Sequence, residues 1–318
     1  MESFAGKLAV VTGGGSGMGR QLVHQLADAG CSVATCDLRE DTAKATAKAA
    51  AEGAPEGTKV TGHACDVSDE SQVLRFRDEA LGWHEATSVQ LLFNNAGIGG
   101  GGSFVAGPRH EWERTFAVDW WGVYYCARVF MPLLIASDEA VIVNTSSVNG
   151  FWAALTPGMP HTAYSTAKFA VKGFSEALIE DLRVHAPHVH VAVVMPGHIG
   201  TDIVANSRRI LWGDGPPDAA TLEQARAELA RRGLVTANAS PEELQLVQEM
   251  ASEAFRVNAP TTAAQAATII LDAVRAGRWR ILVGDDAAAL DTRVRAEPDT
   301  AYDHTMPMLA SLFGSGDA

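Results

Sequence analysis

Leu8-Ala9-Val10-Val11-Thr12-Gly13-Gly14-Gly15-Ser16-Gly17-Met18-Gly19 passes from aliphatic and β-branched residues into a cluster of glycines. The first five residues are typical of a short buried strand. Apolar residues then recur at the spacing of a helix that ends at Gly30, namely Leu22, Val23, Leu26 and Ala29. Strand, glycine turn and helix predict a dinucleotide-binding turn, because the glycines let the backbone approach a pyrophosphate and the helix N-terminus attracts it. A flexible linker is the alternative, although linkers seldom join such a strand to an amphipathic helix.

Asp37 closes a second predicted strand, Ser32–Cys36, about 20 residues after the glycines. An acidic side chain at this point is placed to hydrogen-bond the adenosine ribose, and its charge would repel a 2′-phosphate. The sequence therefore predicts NAD as the cofactor in preference to NADP. Arg39 lies two residues further on and could weaken that exclusion, and a solvated turn residue is the alternative role for Asp37.

Tyr164 and Lys168 stand four residues apart in the segment Tyr164-Ser165-Thr166-Ala167-Lys168, so they share one face of a predicted helix. An ammonium beside a phenol favours the phenolate, and we expect Lys168 to lower the pKa of Tyr164 from about 10 toward neutrality. A tyrosine of that kind can remove a proton from an alcohol or return one to a ketone. The pair alone is weak evidence, but it follows a nucleotide-binding pattern.

With these motifs the chain resembles the classical short-chain dehydrogenase/reductase family over roughly residues 5–203. The resemblance implies an α/β fold, a Rossmann-type doubly wound parallel sheet, and hydride transfer between a nicotinamide and an alcohol or ketone. It rests on motifs in the family's order: Thr12, Gly13, Gly17 and Gly19; Cys65-Asp66-Val67; Asn94-Asn95-Ala96-Gly97; Ser147 after the strand Val141–Asn144; Tyr164 and Lys168; and Pro196-Gly197-His198-Ile199-Gly200-Thr201.

The resemblance also assigns roles to individual residues. Ser147 would hold the substrate oxygen, Tyr164 would exchange its proton, and Lys168 would also bind the nicotinamide ribose. Asp66 would hold the adenine amine. The residues expected to bind the cofactor are Gly13, Ser16, Gly17, Met18, Gly19, Asp37, Asp66, Val67, Asn95, Ala96, Gly97, Tyr164, Lys168, Pro196, Gly197, Ile199 and Thr201.

The chain departs from the family pattern at Asp119, where the family has an asparagine that supports the proton relay. Asp119 is expected to be a fourth catalytic residue, with a charge that alters the relay; simple pairing with a neighbour is the alternative. The spacing from Ser147 to Tyr164 is also long. The apolar residues 151–160 within it predict a loop over an apolar substrate, or else a loop packed on its own chain. Ser147 is preferred to Ser146 because Ser147 precedes Val148-Asn149-Gly150 as the family serine does.

Residues 204–259 exceed what the family core needs, and we expect a substrate lid inserted into a single domain that spans 1–318. Helices are predicted at Thr221–Arg232 and Pro241–Val257, the second starting after Ser240. A contact arm between subunits is the alternative role. Beyond the lid, Thr262–Ala276 is predicted to be a helix and Trp279–Gly284 a last strand.

Composition excludes several classes of partner. The formal net charge is −13 without a basic cluster, which argues against nucleic acid and anionic membranes. Four scattered cysteines indicate neither disulfides nor a zinc site, and His161 and His198 are expected to be loop or surface residues, so no metal is predicted. Without a signal peptide or an 18-residue apolar run, a cytoplasmic protein off the membrane is expected.

The sequence therefore predicts an NAD-dependent oxidoreductase that interconverts a bulky hydrophobic secondary alcohol and its ketone. A homodimer or homotetramer is implied by the resemblance. A catalytically silent nucleotide sensor or scaffold of the same fold is the competing hypothesis, and Asp119 is the one feature in its favour.

Overall fold

The computed structural model describes residues 1–154, 159–213, 215 and 219–303. Seven strands form the central sheet, and every neighbouring pair is parallel. They are β1 (Leu8–Thr12), β2 (Ser32–Asp37), β3 (Val60–Ala64), β4 (Leu91–Asn94), β5 (Ala140–Thr145), β6 (Val189–Pro196) and β9 (Arg280–Val283). Their order is β3-β2-β1-β4-β5-β6-β9, which confirms the doubly wound Rossmann-type sheet.

The helices cover both faces of this sheet. They are α1 (Gly17–Asp28), α2 (Glu40–Gly53), α3 (Glu70–His84), α4 (Arg109–Phe116), α5 (Gly122–Ile135), α6 (Thr162–His185), α7 (Ile203–Trp212), α8 (Ala219–Arg231), α9 (Pro241–Val257), α10 (Ala263–Arg275) and α11 (Asp285–Ala296). A second, two-stranded sheet pairs β7 (Ile199–Gly200) with β8 (Thr261–Thr262). Among the described residues, no helix is long and apolar enough to cross a membrane.

Two separate cores sandwich the sheet, because alternate residues of each strand point to opposite faces. Ala9 and Val11 of β1 pack in one core with α1 and α10. Leu8 and Val10 pack in the other with α3 and α5. Since all seven strands are parallel, the segments that follow β1, β4, β5 and β6 meet at one edge, and the predicted motifs lie in those segments.

The segment 204–259, for which a lid is predicted, contains all of α7 except its first residue, together with α8 and α9. Helix α9 has the predicted bounds, and its first turn has a capping box: Glu243 N–H donates to Ser240 Oγ at 3.2 Å, and Ser240 N–H donates to Glu243 Oε2 at 2.7 Å. Leu229 of α8 and Leu244 of α9 are buried together in a small core of their own. The described residues of 204–259 are therefore mainly helical.

The apolar segment after Ser147 is described in part, and residues 155–158 lie outside the described residues. Trp152 is buried against Ala287 and Leu290 of α11. Its indole N–H donates to the carbonyl of Ala301 at 3.0 Å. This part of the loop therefore packs on its own chain, which was the alternative to a position over the substrate.

Candidate active site

The glycine turn after β1 is packed too closely to accept side chains. A Cβ on Gly13, whose φ is +69°, would lie 2.8 Å from Ala96 Cα, and one on Gly19 would overlap the carbonyl of Gly13. Thr12 Oγ accepts hydrogen bonds from the backbone N–H groups of Asn95 and Ala96, both at 3.0 Å. The glycine turn and the segment after β4 are thereby clamped together at the sheet edge.

Asp37 ends β2 beside this turn. Its carboxylate accepts hydrogen bonds from the backbone N–H of Gly15 at 2.9 Å and of Arg39 at 3.2 Å. Burial raises the pKa of Asp37, and these two donors oppose the rise. The Arg39 guanidinium is paired with the exposed Asp41 at 2.8 Å. The carboxylate is thus fixed in one orientation next to the glycines.

A cleft of about 660 Å³ opens between the glycine turn and α7. Its lining includes eleven of the residues expected to bind the cofactor: Gly13, Ser16, Gly17, Met18, Asp37, Asp66, Val67, Asn95, Ala96, Gly97 and Thr201. Gly19, Tyr164, Lys168, Pro196, Gly197 and Ile199 are not part of that lining. The tight glycine cradle, the free start of α1 and the fixed Asp37 fit a dinucleotide.

Arg114 of α4 is a cleft residue that the sequence did not single out. It pairs with Asp66 at 2.8 Å and also donates to Ser68 Oγ. Burial works to raise the pKa of Asp66, but hydrogen bonds from Ser68 and Arg114 hold it below its ordinary value. No spacing rule connects residues so far apart in the chain, so only the fold could show this pair.

The three residues expected to act in catalysis lie together where β5 ends and α6 begins. Ser147 follows β5, and its hydroxyl hydrogen-bonds Tyr164, which opposes in part the rise that burial causes in the pKa of Tyr164. The Lys168 ammonium lies 5.3 Å from the centre of the Tyr164 ring. Ser146 instead donates to the carbonyl of Lys168 at 2.7 Å. Of the two serines, Ser147 is therefore the one that contacts the tyrosine.

Asp119 lies in a π-helical turn, Ala117–Trp121, between α4 and α5. One carboxylate oxygen is 3.0 Å from Lys168 Nζ and accepts from the N–H of Ile98 at 3.3 Å; the other is buried with no partner among the described residues. Burial raises the pKa of Asp119 to about 6, against the opposing charge of Lys168. Burial also disfavours the Lys168 ammonium, but Asp119 and Tyr164 outweigh it and raise the pKa of Lys168. The neighbour that Asp119 pairs with is thus the lysine itself.

The expectation that the pKa of Tyr164 is lowered was wrong. Burial raises it, the Lys168 charge opposes that rise, and the negative charge of Asp119 adds to it. The sequence placed Lys168 correctly beside Tyr164, but it did not reveal that a buried carboxylate neutralises the ammonium. Without a further charge nearby, the Tyr164 phenol is protonated at neutral pH.

Both histidines near the site lie in loop segments, as expected, but neither is an exposed surface residue. The His161 ring stacks on that of Tyr164, with centroids 4.6 Å apart and planes at 24°. His198 is buried, with its ring nitrogen Nε2 2.7 Å from the carbonyl of Phe255 in α9. Its backbone N–H donates to Asp286 of α11 at 2.6 Å. The stacking of His161 on Tyr164 could have been predicted from the sequence, because the two residues are three positions apart.

Comparison with known proteins agrees with this geometry. A family model described as short chain dehydrogenase matches residues 7–211. A Mycobacterium tuberculosis protein named as an oxidoreductase, SadH, is 34% identical over 295 residues, which cover 93% of this chain and 92% of SadH. A solved short chain dehydrogenase/reductase from Burkholderia phymatum in complex with NAD is 29% identical with a TM-score of 0.74, over 93% of this chain and 95% of that one.

A second solved structure, a metagenomic short-chain oxidoreductase in complex with NADP, is 30% identical with a TM-score of 0.54; the match covers 61% of this chain and 83% of that one.

The chain belongs to the short-chain dehydrogenase family and is an oxidoreductase that uses a nicotinamide cofactor. Among the described residues, no three His, Cys, Asp or Glu side chains are grouped so as to hold a metal ion.

The protonation state of Tyr164 can be measured directly, since the chain has only four tyrosines. In a phenolate absorbance titration compared with Tyr164→Phe, we expect Tyr164 to ionise above its ordinary pKa of 10.0. Asp119→Asn should lower that pKa, because it removes the negative charge that offsets Lys168.

Asp181→Asn serves as the control, because Asp181 is exposed on the same helix as Tyr164. It should leave the titration unchanged. A Tyr164 pKa at or below its ordinary value in the wild type, or a higher one in Asp119→Asn, would contradict the assignment of charges.

Proposed function

We propose that the protein interconverts a hydrophobic secondary alcohol and its ketone with NAD as the oxidant or NADH as the reductant. The observation that carries this proposal is the contact of the Ser147 and Tyr164 hydroxyls beside the Lys168 ammonium, next to a dinucleotide-sized cleft. Two hydroxyls and a fixed cation in this arrangement can orient a substrate oxygen and move one proton.

In this mechanism Ser147 donates a hydrogen bond to the substrate oxygen and so holds the carbinol carbon in place. In the reduction the Tyr164 phenol would donate its proton to the ketone oxygen, and in the oxidation it would first lose that proton to solvent and then, as the phenolate, accept the hydroxyl proton of the alcohol. When bound, the nicotinamide accepts or supplies the hydride. Lys168 is held by Asp119 and by the carbonyl of Thr145, 3.2 Å from Nζ, so that its charge stays beside the phenol.

The protein's own residues would hold the cofactor as follows. The glycine turn and the start of α1 would hold the pyrophosphate, and Asp37 would hold the adenosine ribose. Asp66 and Val67 would hold the adenine, and Asn95, Ala96 and Gly97 also line the cleft. Pro196, Gly197, Ile199 and Thr201 would hold the nicotinamide carboxamide. These roles follow the family pattern, and the lining of the cleft supports those of the named residues other than Gly19, Pro196, Gly197 and Ile199.

A single domain over 1–318 with residues 204–259 as its lid completes the proposal. Two hydrogen bonds support a lid position for α7: Asn206 Nδ2 donates to Ser16 Oγ at 3.2 Å, and Gly99 N–H donates to Ser207 Oγ at 2.7 Å. The first reaches the glycine turn and the second reaches the loop after β4. A helix held at both places excludes water from the cleft between them.

Self-association is also part of the proposal. Trp121 at the end of the π-helical turn, Tyr124 of α5 and Phe169 of α6 are exposed aromatic side chains, 41%, 36% and 42% accessible. Trp121 and Tyr124 contact one another edge to face, with ring centroids 5.7 Å apart. An aromatic surface of this kind favours contact with a second copy of the chain in a homodimer or homotetramer.

A silent nucleotide sensor is the second candidate function. The observation that favours it is the ion pair of Lys168 with Asp119, which takes up the charge that would otherwise lower the pKa of Tyr164. Such a protein would bind the cofactor and never reduce it.

Turnover by Tyr164→Phe distinguishes the oxidoreductase from the silent nucleotide sensor. The wild type should reduce NAD with members of a panel of small and bulky secondary alcohols, and Tyr164→Phe should lose turnover by at least about a hundredfold. Cofactor affinity, measured by calorimetry, should change little, because the substitution removes only one oxygen. Tyr302→Phe is the matched control. Undiminished turnover in Tyr164→Phe would contradict the catalytic role, and cofactor binding without turnover in the wild type would favour the sensor.

Asp37 determines the preference for NAD in this proposal. Asp37→Asn keeps the shape of the side chain and removes the charge, so kcat/KM with NADP should rise relative to NAD by about tenfold or more. Glu40→Gln, which removes a neighbouring exposed charge, should leave the ratio nearly unchanged. A wild type that prefers NADP would contradict the role of Asp37.

A further inference from the structure

Arg114 of α4 lies on the wall of the cleft, as do Asp66 and Val67. Its guanidinium Nη2 donates to Asp66 Oδ2 at 2.8 Å, and its Nη1 donates to Ser68 Oγ. The side chains of Arg114 and Asp66 are 29% and 19% accessible, so a ligand in the cleft can reach both of them. The function proposed above uses Asp66 but gives Arg114 no role.

The carboxylate of Asp66 is held from both sides. Oδ1 accepts from the backbone N–H of Ser68 at 3.0 Å and from the Ser68 hydroxyl at 2.7 Å, while Oδ2 accepts from Arg114. These are the three donors to this carboxylate among the described residues. Because an ionised carboxylate can accept about four hydrogen bonds, one further place remains, on the oxygen that Arg114 holds.

Arg114 also keeps this carboxylate charged. Burial works to raise the pKa of Asp66, but the hydrogen bonds from Ser68 and Arg114 hold it below its ordinary value. A protonated carboxyl could donate a hydrogen bond as well as accept one, whereas the carboxylate can only accept. The remaining place on Asp66 is therefore restricted to a donor group on the ligand.

This restriction distinguishes purine bases. Adenine has an exocyclic amine at C6, which is a donor, and hypoxanthine has a carbonyl at the same ring atom, which is an acceptor. A guanidinium by itself would favour the carbonyl, as arginine does with guanine in nucleic acids. In this cleft two of the Arg114 nitrogens are engaged by Asp66 and Ser68, so the carboxylate oxygen is presented to the base.

We propose that Arg114 is a positioning residue that selects the base of the dinucleotide. By holding Asp66 as an oriented carboxylate, it makes the cleft bind a purine with an exocyclic amine and reject one with a carbonyl in its place. This inference rests on the proposed function, in which the adenine of NAD lies at Asp66, and it names the residue on which the selection of that base depends.

Two variants separate the charge of Arg114 from the rest of its side chain. Arg114→Met removes the donors and keeps a long apolar stem, whereas Arg114→Lys keeps a cation that can pair with Asp66. Arg109→Met is the matched control, because Arg109 lies on the same helix with a side chain that is 90% accessible and pairs with Glu113. The probes are NAD and nicotinamide hypoxanthine dinucleotide, and their Kd values are measured by calorimetry without turnover.

The wild type should bind NAD about tenfold or more tightly than the hypoxanthine dinucleotide. In Arg114→Met the affinity for NAD should fall by about tenfold, while that for the hypoxanthine dinucleotide changes by about twofold or less, because its carbonyl gains nothing from an oriented carboxylate. Arg114→Lys should keep most of the preference, and Arg109→Met should keep all of it. Thermal melts show whether each variant is folded, and Arg114→Gln replaces Arg114→Met if the latter is not.

Four outcomes would overturn the inference. Equal losses for the two dinucleotides in Arg114→Met would mean that Arg114 only holds α4 in place. A loss of preference in Arg114→Lys as large as in Arg114→Met would show that a cation beside Asp66 does not determine it. Equal binding of both dinucleotides by the wild type would reject base selection and leave the proposed function intact. Binding of neither would reject both.

Discussion

The buried ion pair between Lys168 and Asp119 is the constraint on which the rest of the site depends. Its two charges are 3.0 Å apart and nearly inaccessible to water, so removing either partner would leave an uncompensated buried charge. The pair links α6 to the π-helical turn before α5, and its remaining bonds reach Thr145 at the end of β5 and Ile98 after β4. The sheet edge, the turn and the catalytic helix are therefore held in one arrangement around Tyr164.

That arrangement keeps the Tyr164 phenol protonated at neutral pH. The ammonium that would stabilise a phenolate is shared with a carboxylate, and burial adds to the cost of the charged form, so the phenol keeps its proton. In the proposed reaction this state would protonate a ketone oxygen, whereas oxidation of an alcohol would require the phenol to ionise first. The neutral His161 ring stacks on Tyr164 without adding charge, which leaves this balance unchanged.

The local parts of the fold and site could be predicted from the sequence, and the features set by burial could not. Residues 8–19 define the first strand and turn, and Ser240 with Glu243 defines the start of α9, because these signals lie within a few residues of each other. The contact of Tyr164 with Lys168 follows from helical spacing. The pKa of Tyr164, the Arg114–Asp66 pair and the burial of Trp152 depend on segments that are far apart in the chain and meet only in the fold.

The pH dependence of both reaction directions in the wild type tests the central claim most directly. With a phenol whose pKa is raised, kcat/KM for ketone reduction should be constant from slightly acidic to moderately alkaline pH, because the donor form predominates throughout. Over the same range kcat/KM for alcohol oxidation should rise by about tenfold per pH unit, in proportion to the phenolate fraction. Oxidation that is independent of pH near neutrality would show that Tyr164 is already ionised and would contradict this account of the site.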